Sequence, residues 1–453
     1  MAEGLISKWT KLQKVKEGKT DRKLLIGTGI STKDNAFEAA KEAAENALKE
    51  LNGKKPTISY AFFSGDYDPY KLSEGLQSIL KGTEFVGGLG DRVIFGNQVI
   101  EKGIVVASIQ SDFLHVGVAS TENVSADPYE IAKKTTKEAL SKLTVDNYVD
   151  PYLQALRMKG GDIRSIVKIP PYYINVFTKG FQLPKMGEET KIILGISDVV
   201  GRQIPIWGGS FETALEKVMT KYEIYSLHSG KVLKDGLIIV FNSSSLLYGN
   251  SIAHGCKKTG EISVITKTSM GGYVVDEISG QKPVDWYAKR LKMDKKDFLG
   301  KVMVLGLTQR WPLGMPDNLG RFVIRGGGVP IGDSLAYVAP LIEGAPVYLM
   351  DADPKNLFSA TEEIIKNIQE YTEETQAPEL LLITSCLSRR AVLQKDLEKD
   401  LQNISTSFGN APLVGFTCSG EIGSKAGDLA TFHHVCNNIF AFYDKLLAQQ
   451  KKP

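Results

Sequence analysis

Apolar and polar positions along the chain follow two rhythms. One is a short continuous run of apolar residues bounded by glycine, serine or asparagine, which reads as a buried strand. Such runs occur at Leu24–Ile26, Tyr60–Phe63, Ile104–Ala107, Leu237–Phe241, Leu380–Ile383, Leu413–Phe416 and Ile439–Phe442. The other rhythm is helical: Phe37, Ala40, Ala44, Ala47 and Leu51 share one face, as do Leu393, Leu397, Leu401 and Ile404. Asn35 and Glu38 stand at capping-box spacing before the first of these helices, and Asn52-Gly53 ends it. Asp-Pro steps at Asp68, Asp127, Asp150 and Asp353 predict further helix starts, because Asp accepts the free first-turn amides and Pro is pre-set for the first helical position. Leu24–Gly29 predicts a strand ending in a Gly-x-Gly turn. It lacks the third glycine of a dinucleotide fingerprint and no P-loop lysine follows, so plain strand–helix packing is expected there.

The pattern repeats. A strand ending in Ser64-Gly65, a helix, and Phe85-Val86-Gly87-Gly88 parallel a strand ending in Ser385-Cys386, a helix, and Leu413-Val414-Gly415-Phe416. Pro205–Ser210 followed by Asp235–Phe241 is a third echo. A glycine after two apolar residues lets the backbone turn sharply or something approach it closely. The repeats imply duplicated α+β modules whose turns gather at one end of their sheets. Gly160-Gly161 and Pro170-Pro171 read as hinges dividing the N-terminal half into two lobes. Tyr248–Gly280 reads as antiparallel strands, and Pro283 as the start of a helix.

Composition narrows the class. The chain has 453 residues, 42% hydrophobic and 24% charged, with 55 basic against 52 acidic side chains. That is globular, long enough for two or three cores, and too balanced for a nucleic-acid binder. No apolar run has the length of a membrane span, and the first residues lack the pattern of a signal peptide. Four scattered cysteines suit a reducing cytosol. A cytoplasmic protein with no nucleic-acid or membrane partner is the expectation.

Candidate chemistry concentrates between Pro378 and Phe442, with Cys386, Arg389, Arg390, Cys418, Glu421, His433, His434 and Cys436. Cys386 could act as a nucleophile with His433 or His434 as base and a neighbouring arginine lowering its pKa, although free cysteine is more often a small buried hydrophobe. A metal site is disfavoured: His433 and Cys436 would face opposite sides of a strand, and Cys386 and Cys418 stand alone. The third reading is a polar pocket in which Arg389 or Arg390 forks onto a carboxylate and Glu421, held between Gly420 and Gly423, receives an ammonium group. The alternative is that Arg and Glu pair with each other. Gly-x-Ser-x-Gly, P-loop, His-Glu-x-x-His and kinase signatures are absent.

Cys386-x-x-Arg389 after a strand, Pro412–Phe416, Gly420-Glu421-Ile422 and a His-bearing strand together resemble the C-terminal module of the FIST (F-box and intracellular signal transduction) family. Gly320–Gly332 and Ala345–Met350 match upstream. Tyr60–Asp66, Phe85–Gly88 and Gly103–Ile109 resemble the N-terminal module. The resemblance implies an α/β (α+β) protein of mixed β-sheets flanked by helices, layered α-β-β-α, with modules at 20–247 and 248–445. It also implies a small-molecule-binding sensory role, with an amino-acid-like ligand and a separate signalling partner protein. A Cys-dependent enzyme and a protein-recruitment scaffold are the alternatives, and no cofactor is specified. The ligand residues expected are Ser64, Gly65, Gly87, Gly88, Cys386, Arg389, Arg390, Gly415, Phe416, Gly420, Glu421 and His433. Ser388 stands where the family often has glycine, and His434 and Cys436 where it often has Asn and Thr. These changes fall inside the expected pocket, so ligand identity does not carry over.

Overall fold

The computed structural model describes residues 22–143, 169–182, 187–214, 217, 222–317, 320–424 and 429–447. It begins with β1 (Leu25–Ser31), α1 (Ala36–Lys49), β2 (Ile58–Ser64), α2 (Pro69–Leu80) and β3 (Glu84–Leu89). A hairpin of β4 (Val93–Phe95) and β5 (Gln98–Ile100) leaves the sheet, and β6 (Gly103–Gln110) returns between β1 and β2. The same series then recurs as β7 (Leu114–Thr121), α3 (Pro128–Ser141), β8 (Tyr172–Lys179), α4 (Glu189–Val200), β9 (Ile206–Phe211), the hairpin β10 (Tyr225–His228) and β11 (Lys231–Lys234), and β12 (Leu237–Ser244).

A third unit opens with β13 (Leu246–Ala253) and is interrupted by an insertion. The insertion contains β14 (Lys257–Ser269), β15 (Val274–Ile278), α5 (Pro283–Arg290), α6 (Lys295–Leu305), α7 (Leu307–Arg310), β16 (Leu313–Pro316), β17 (Phe322–Arg325), β18 (Val329–Ile331), β19 (Ser334–Ala336) and β20 (Pro346–Asp351). The unit resumes with α8 (Pro354–Thr372), β21 (Leu380–Cys386), α9 (Leu387–Leu393), α10 (Asp396–Ser407), β22 (Leu413–Cys418), the hairpin β23 (Glu421–Gly423) and β24 (Thr431–His433), and β25 (Asn437–Leu446).

The three units exchange hairpins in a ring. β4 pairs with β22 of the third unit, β10 with β3 of the first, and β23 with β9 of the second. Each unit therefore contributes four strands to its own six-stranded sheet and two to a neighbour's. Where the third strands meet, three equivalent backbone bonds close the ring: Asp91 N to Thr417 O (3.0 Å), Glu212 N to Leu89 O (3.1 Å) and Ser419 N to Ser210 O (3.0 Å). The inner faces share one core, in which Phe62, Phe177, Trp207, Phe211, Phe416 and Phe440 meet. The helices pack on the outer faces, so any two units are layered helix–sheet–sheet–helix and the third closes the ring. The insertion forms its own seven-stranded antiparallel sheet with α5 to α7. Among the described residues, no helix is long and apolar enough to cross a membrane.

Local signals account for much of this. Asn35, Asp68, Asp127 and Asp353 accept first-turn amides, as expected of caps. Asp150 and Gly160-Gly161 lie outside the described residues. The step from the first unit to the second falls at residues 111–113, whereas Pro170-Pro171 leads directly into β8. The glycines expected in turns instead sit within strands. Cβ atoms at Gly27 and Gly29 would lie 1.7 and 2.0 Å from the carbonyl oxygens of Ala47 and Ala43, so glycine lets α1 settle on β1. Gly87, Gly208 and Gly415 are equivalent, opposite Ala61, Val176 and Ile383, and a Cβ there would lie 1.7–1.8 Å from the partner's carbonyl oxygen.

Candidate functional site

Because the three units share one register, they serve as controls for one another. Counting from the shared glycine pairs, the second strands end at Ser64, Lys179 and Cys386. The third strands lead to Gly90, Phe211 and Cys418, and the exchanged hairpins place Val93, Ser226 and Glu421 at one position. The returning strands put Val105, Ile238 and Asn438 together, with Ile104, Leu237 and Asn437 one residue earlier. Phe62 and Phe177 correspond to Thr384. The fold is thus satisfied by largely apolar or small residues at these positions in the first two units. The third unit carries Thr384, Cys386, Cys418, Glu421, Asn437 and Asn438 instead, all buried. Polar groups removed from water without need of the architecture mark a functional candidate.

Glu421 is the centre of that group. Its Oε1 is 3.0 Å from Cys418 Sγ, and its Oε2 accepts from Cys436 N at 3.2 Å. Burial outweighs both contacts and pushes the carboxyl up to about 8. Cys386 N donates to Cys436 O at 3.0 Å, and its Sγ is 3.8 Å from Ser419 O. Cys386, Cys418 and Cys436 thus occupy neighbouring backbones beside one acid. Burial, then the charge of Glu421, raises all three thiols. Cys256 is buried too and pushed up to about 12. None has the exposed, electropositive surroundings of a reactive thiol.

Arg389 is fully buried. Its Nη2 donates to Asp400 Oδ2 (2.6 Å), Thr361 Oγ1 (3.0 Å) and Leu357 O (3.0 Å), while Asn437 Nδ2 donates to the same Asp400 oxygen at 2.9 Å. Its salt-bridge partner is therefore Asp400, although its charge still favours the ionised form of Glu421. Arg389 Nε and Nη1 have no hydrogen-bond partner among the described residues. Arg390 instead forks onto Asp91 at 2.7 and 3.0 Å, and Thr417 Oγ1 donates to the same carboxylate at 2.8 Å, tying the third unit to the first.

The other expected residues divide by role. Ser64 Oγ donates to Ile100 O, and Gly65 (φ +84°) backs onto Lys102. Gly88 meets the Phe211 ring, and Phe416 packs in tilted contacts among Phe62, Phe177 and Phe211. Gly87 and Gly415 allow close strand approach, and Gly420 makes room for Phe432. His433 contacts Thr431, while His434 Nδ1 accepts from Gly326 N at 3.3 Å. Burial drives both imidazoles down, His434 to about 3.

Sequence reasoning missed Asp91, Glu189, Glu212, Arg325 and Asp400. Ser210 Oγ donates to Glu189 Oε1 at 2.5 Å, and burial pushes Glu189 to about 7 and Glu212 to about 8. The available signal was a lone polar residue beside an apolar run, as at Lys179 or Asn437-Asn438. Among the described residues, no group of three or more His, Cys, Asp and Glu is placed to hold a metal ion.

Family models of the FIST N domain and the FIST C domain match residues 59–281 and 283–424. Two curated relatives, uncharacterized proteins of Mycobacterium tuberculosis strains CDC 1551 / Oshkosh and H37Rv, are each 24% identical over 431 residues. The alignments span 92% of this chain and all of theirs. Among solved structures, a cyanuric acid hydrolase from A. caulinodans aligns over 93% of this chain and 99% of its own, with 8% identity and a TM-score of 0.33. PurLQS from Thermotoga maritima aligns over 95% and 74%, with 10% identity and a TM-score of 0.22.

Proposed function

The chain belongs to the FIST family, whose domains are associated with signal transduction and sensing, and on that footing we propose that it is a cytoplasmic sensor of a small, amino-acid-like molecule. The observation that carries the reading is the third unit's buried polar cluster, set where the other two units are largely apolar or small, Lys179 being the exception. Within it, Arg389 carries a guanidinium charge, yet two of its three nitrogens lack partners among the described residues. Orphaned donors at full burial are costly and call for an acceptor such as a ligand carboxylate. Glu421, protonated near neutral pH, is the acid available to an ammonium group, which would displace its proton. The signal then passes to a separate partner protein.

The test is thermal unfolding against a panel of amino acids and small carboxylates. Ligand at 100 times its dissociation constant stabilises the folded state by about 2.7 kcal/mol. Arg389→Lys keeps a charge beside Asp400 while removing the fork, so it separates recognition from the salt bridge. A shift in the wild type that is lost in Arg389→Lys and Glu421→Gln is expected. No shift with any compound, or an equal shift in both variants, would exclude this site.

A further inference from the structure

The insertion brings a second unusual arginine into the interior. Arg92, Arg325 and Arg389 are the buried arginines among the described residues. Arg92 has Asp91, and Arg389 has Asp400. Arg325, on β17, reaches no carboxylate at ion-pair distance among the described residues. Its Nη1 donates to the carbonyls of Phe432 (3.0 Å) and Ile324 (3.2 Å), and its Nε is buried without a partner among the described residues. The acid whose charge it feels is Glu189, which already accepts from Ser210 and is partly protonated at neutral pH. Burial lowers Arg325 only to about 10, so it remains a cation. A buried cation requires a counter-ion, and none of the described residues supplies one at ion-pair distance.

The side chains around it are basic rather than acidic. Arg325 is anchored on the carbonyl of Phe432, the residue before His433, whose Nδ1 is likewise buried without a partner among the described residues. Burial comes first in keeping His433 neutral, and the neighbours that act most strongly on it, His254, Arg325, His434 and Arg321, all oppose a positive charge there. Gly326 follows Arg325 and packs against Ser388 and His434, so the seam lies between the insertion and the third unit. Neither of the other units has an insertion here: their first strands run into their first helices through short links.

We propose that this seam is an oxyanion site, in which Arg325 Nε and His433 Nδ1 hold a carboxylate or phosphate group between the insertion and the hairpin β23–β24. The site adjoins the Arg389–Glu421 cluster, since His433 pairs with Glu421 across the β23–β24 ladder, but it is built from different donors and does not depend on the sensor reading. A planar guanidinium suits either oxyanion, and an imidazole with Nε2 committed to Thr431 can present Nδ1–H to it.

The experiment follows the unfolding midpoint of the full chain in sodium phosphate and in sodium acetate, against sodium chloride at equal ionic strength. A saturable rise of a few degrees with phosphate, acetate or both is expected, and whichever salts act identify the oxyanion. Arg325→Met replaces an uncompensated charge by an apolar side chain of similar length. It should melt no lower than wild type in chloride and lose the oxyanion-dependent rise. His433→Gln should weaken the rise without lowering the midpoint in chloride. A wild-type midpoint that follows ionic strength alone, or an undiminished rise in Arg325→Met, overturns the proposal. If Arg325→Met fails to fold, the wild-type titration together with His433→Gln still decides.

Discussion

Glu421→Gln should remove a pH dependence that the buried acid imposes on stability. The carboxyl loses its proton near 4.5 in the unfolded chain but only near 8 in the folded one. Between those values the folded state binds more protons. The stabilisation is therefore complete below the lower value and is lost as pH rises toward the upper. A displacement of that size is worth up to about 5 kcal/mol. Local relaxation and water entry reduce the realistic figure to about 2–3 kcal/mol. Glutamine is neutral throughout: its oxygen can accept from Cys436 N while its amide donates toward Cys418 Sγ. The variant should match wild type near pH 5 and exceed it by about 2–3 kcal/mol near pH 9. Urea midpoints across that range, at unchanged m-value, measure the difference. Glu189 and Glu212 are also buried and raised, so both proteins lose stability with pH, and only the difference reports on Glu421. Curves that stay parallel from pH 5 to 9 would mean that Glu421 is ionised in the fold, and the argument from burial would fail.

Two further outcomes follow from the packing. Gly87→Ala, Gly208→Ala and Gly415→Ala should each lower stability by about 3 kcal/mol or more, because each Cβ would collide with a partner carbonyl in a strand that cannot yield freely. Gly300→Ala, in α6 with open space around it, should instead stabilise slightly; urea midpoints of the four variants test the contrast, and a tolerated change at any of the three would break the equivalence of the units. A limiting thiol reagent near neutral pH should label none of the four cysteines in the native protein and all four after unfolding, by mass mapping. Preferential native labelling of Cys386 would contradict its burial.

The elements were legible where local chemistry alone decides them. Asp before Pro caps a helix wherever it falls, and an apolar run such as Leu380–Ile383 has nowhere to go but a core. The recurrence of Gly87, Gly208 and Gly415 was legible as well, because glycine is demanded by a backbone contact that each unit repeats. The ring was not legible, since hairpin exchange is a choice among partners of similar pattern: Val93–Phe95 could pair in its own sheet as well as beside β22. Arg389 was legible as a buried-site candidate from its place after a strand, but not its partner. Asp400 shares the apolar face of Leu397, Leu401 and Ile404, but only the packing of α10 on α8 shows that it meets Arg389 there. Arg325 was invisible for the same reason, because the insertion's docking buries it.

Hairpin exchange also decides how the molecule must fold. In the first unit, β3 has β2 on one side and the second unit's β10 on the other, so an isolated first unit would expose the edge at Val86–Gly88. Its own hairpin would lose β22, and its inner face, with Tyr60 and Phe62, would lose the facing sheets. Exposed edges and large apolar faces favour aggregation over a stable monomer. A fragment of residues 22–111 should therefore lack native near-ultraviolet circular dichroism and associate at micromolar concentration. The intact ring should unfold in one cooperative transition despite its three similar units, because no unit's sheet is complete without a neighbour's hairpin. Calorimetry of the full chain, with the fragment in parallel, tests both statements. A monomeric fragment that melts cooperatively would show that each unit is stable alone, and that the exchanged hairpins add to finished domains rather than build them.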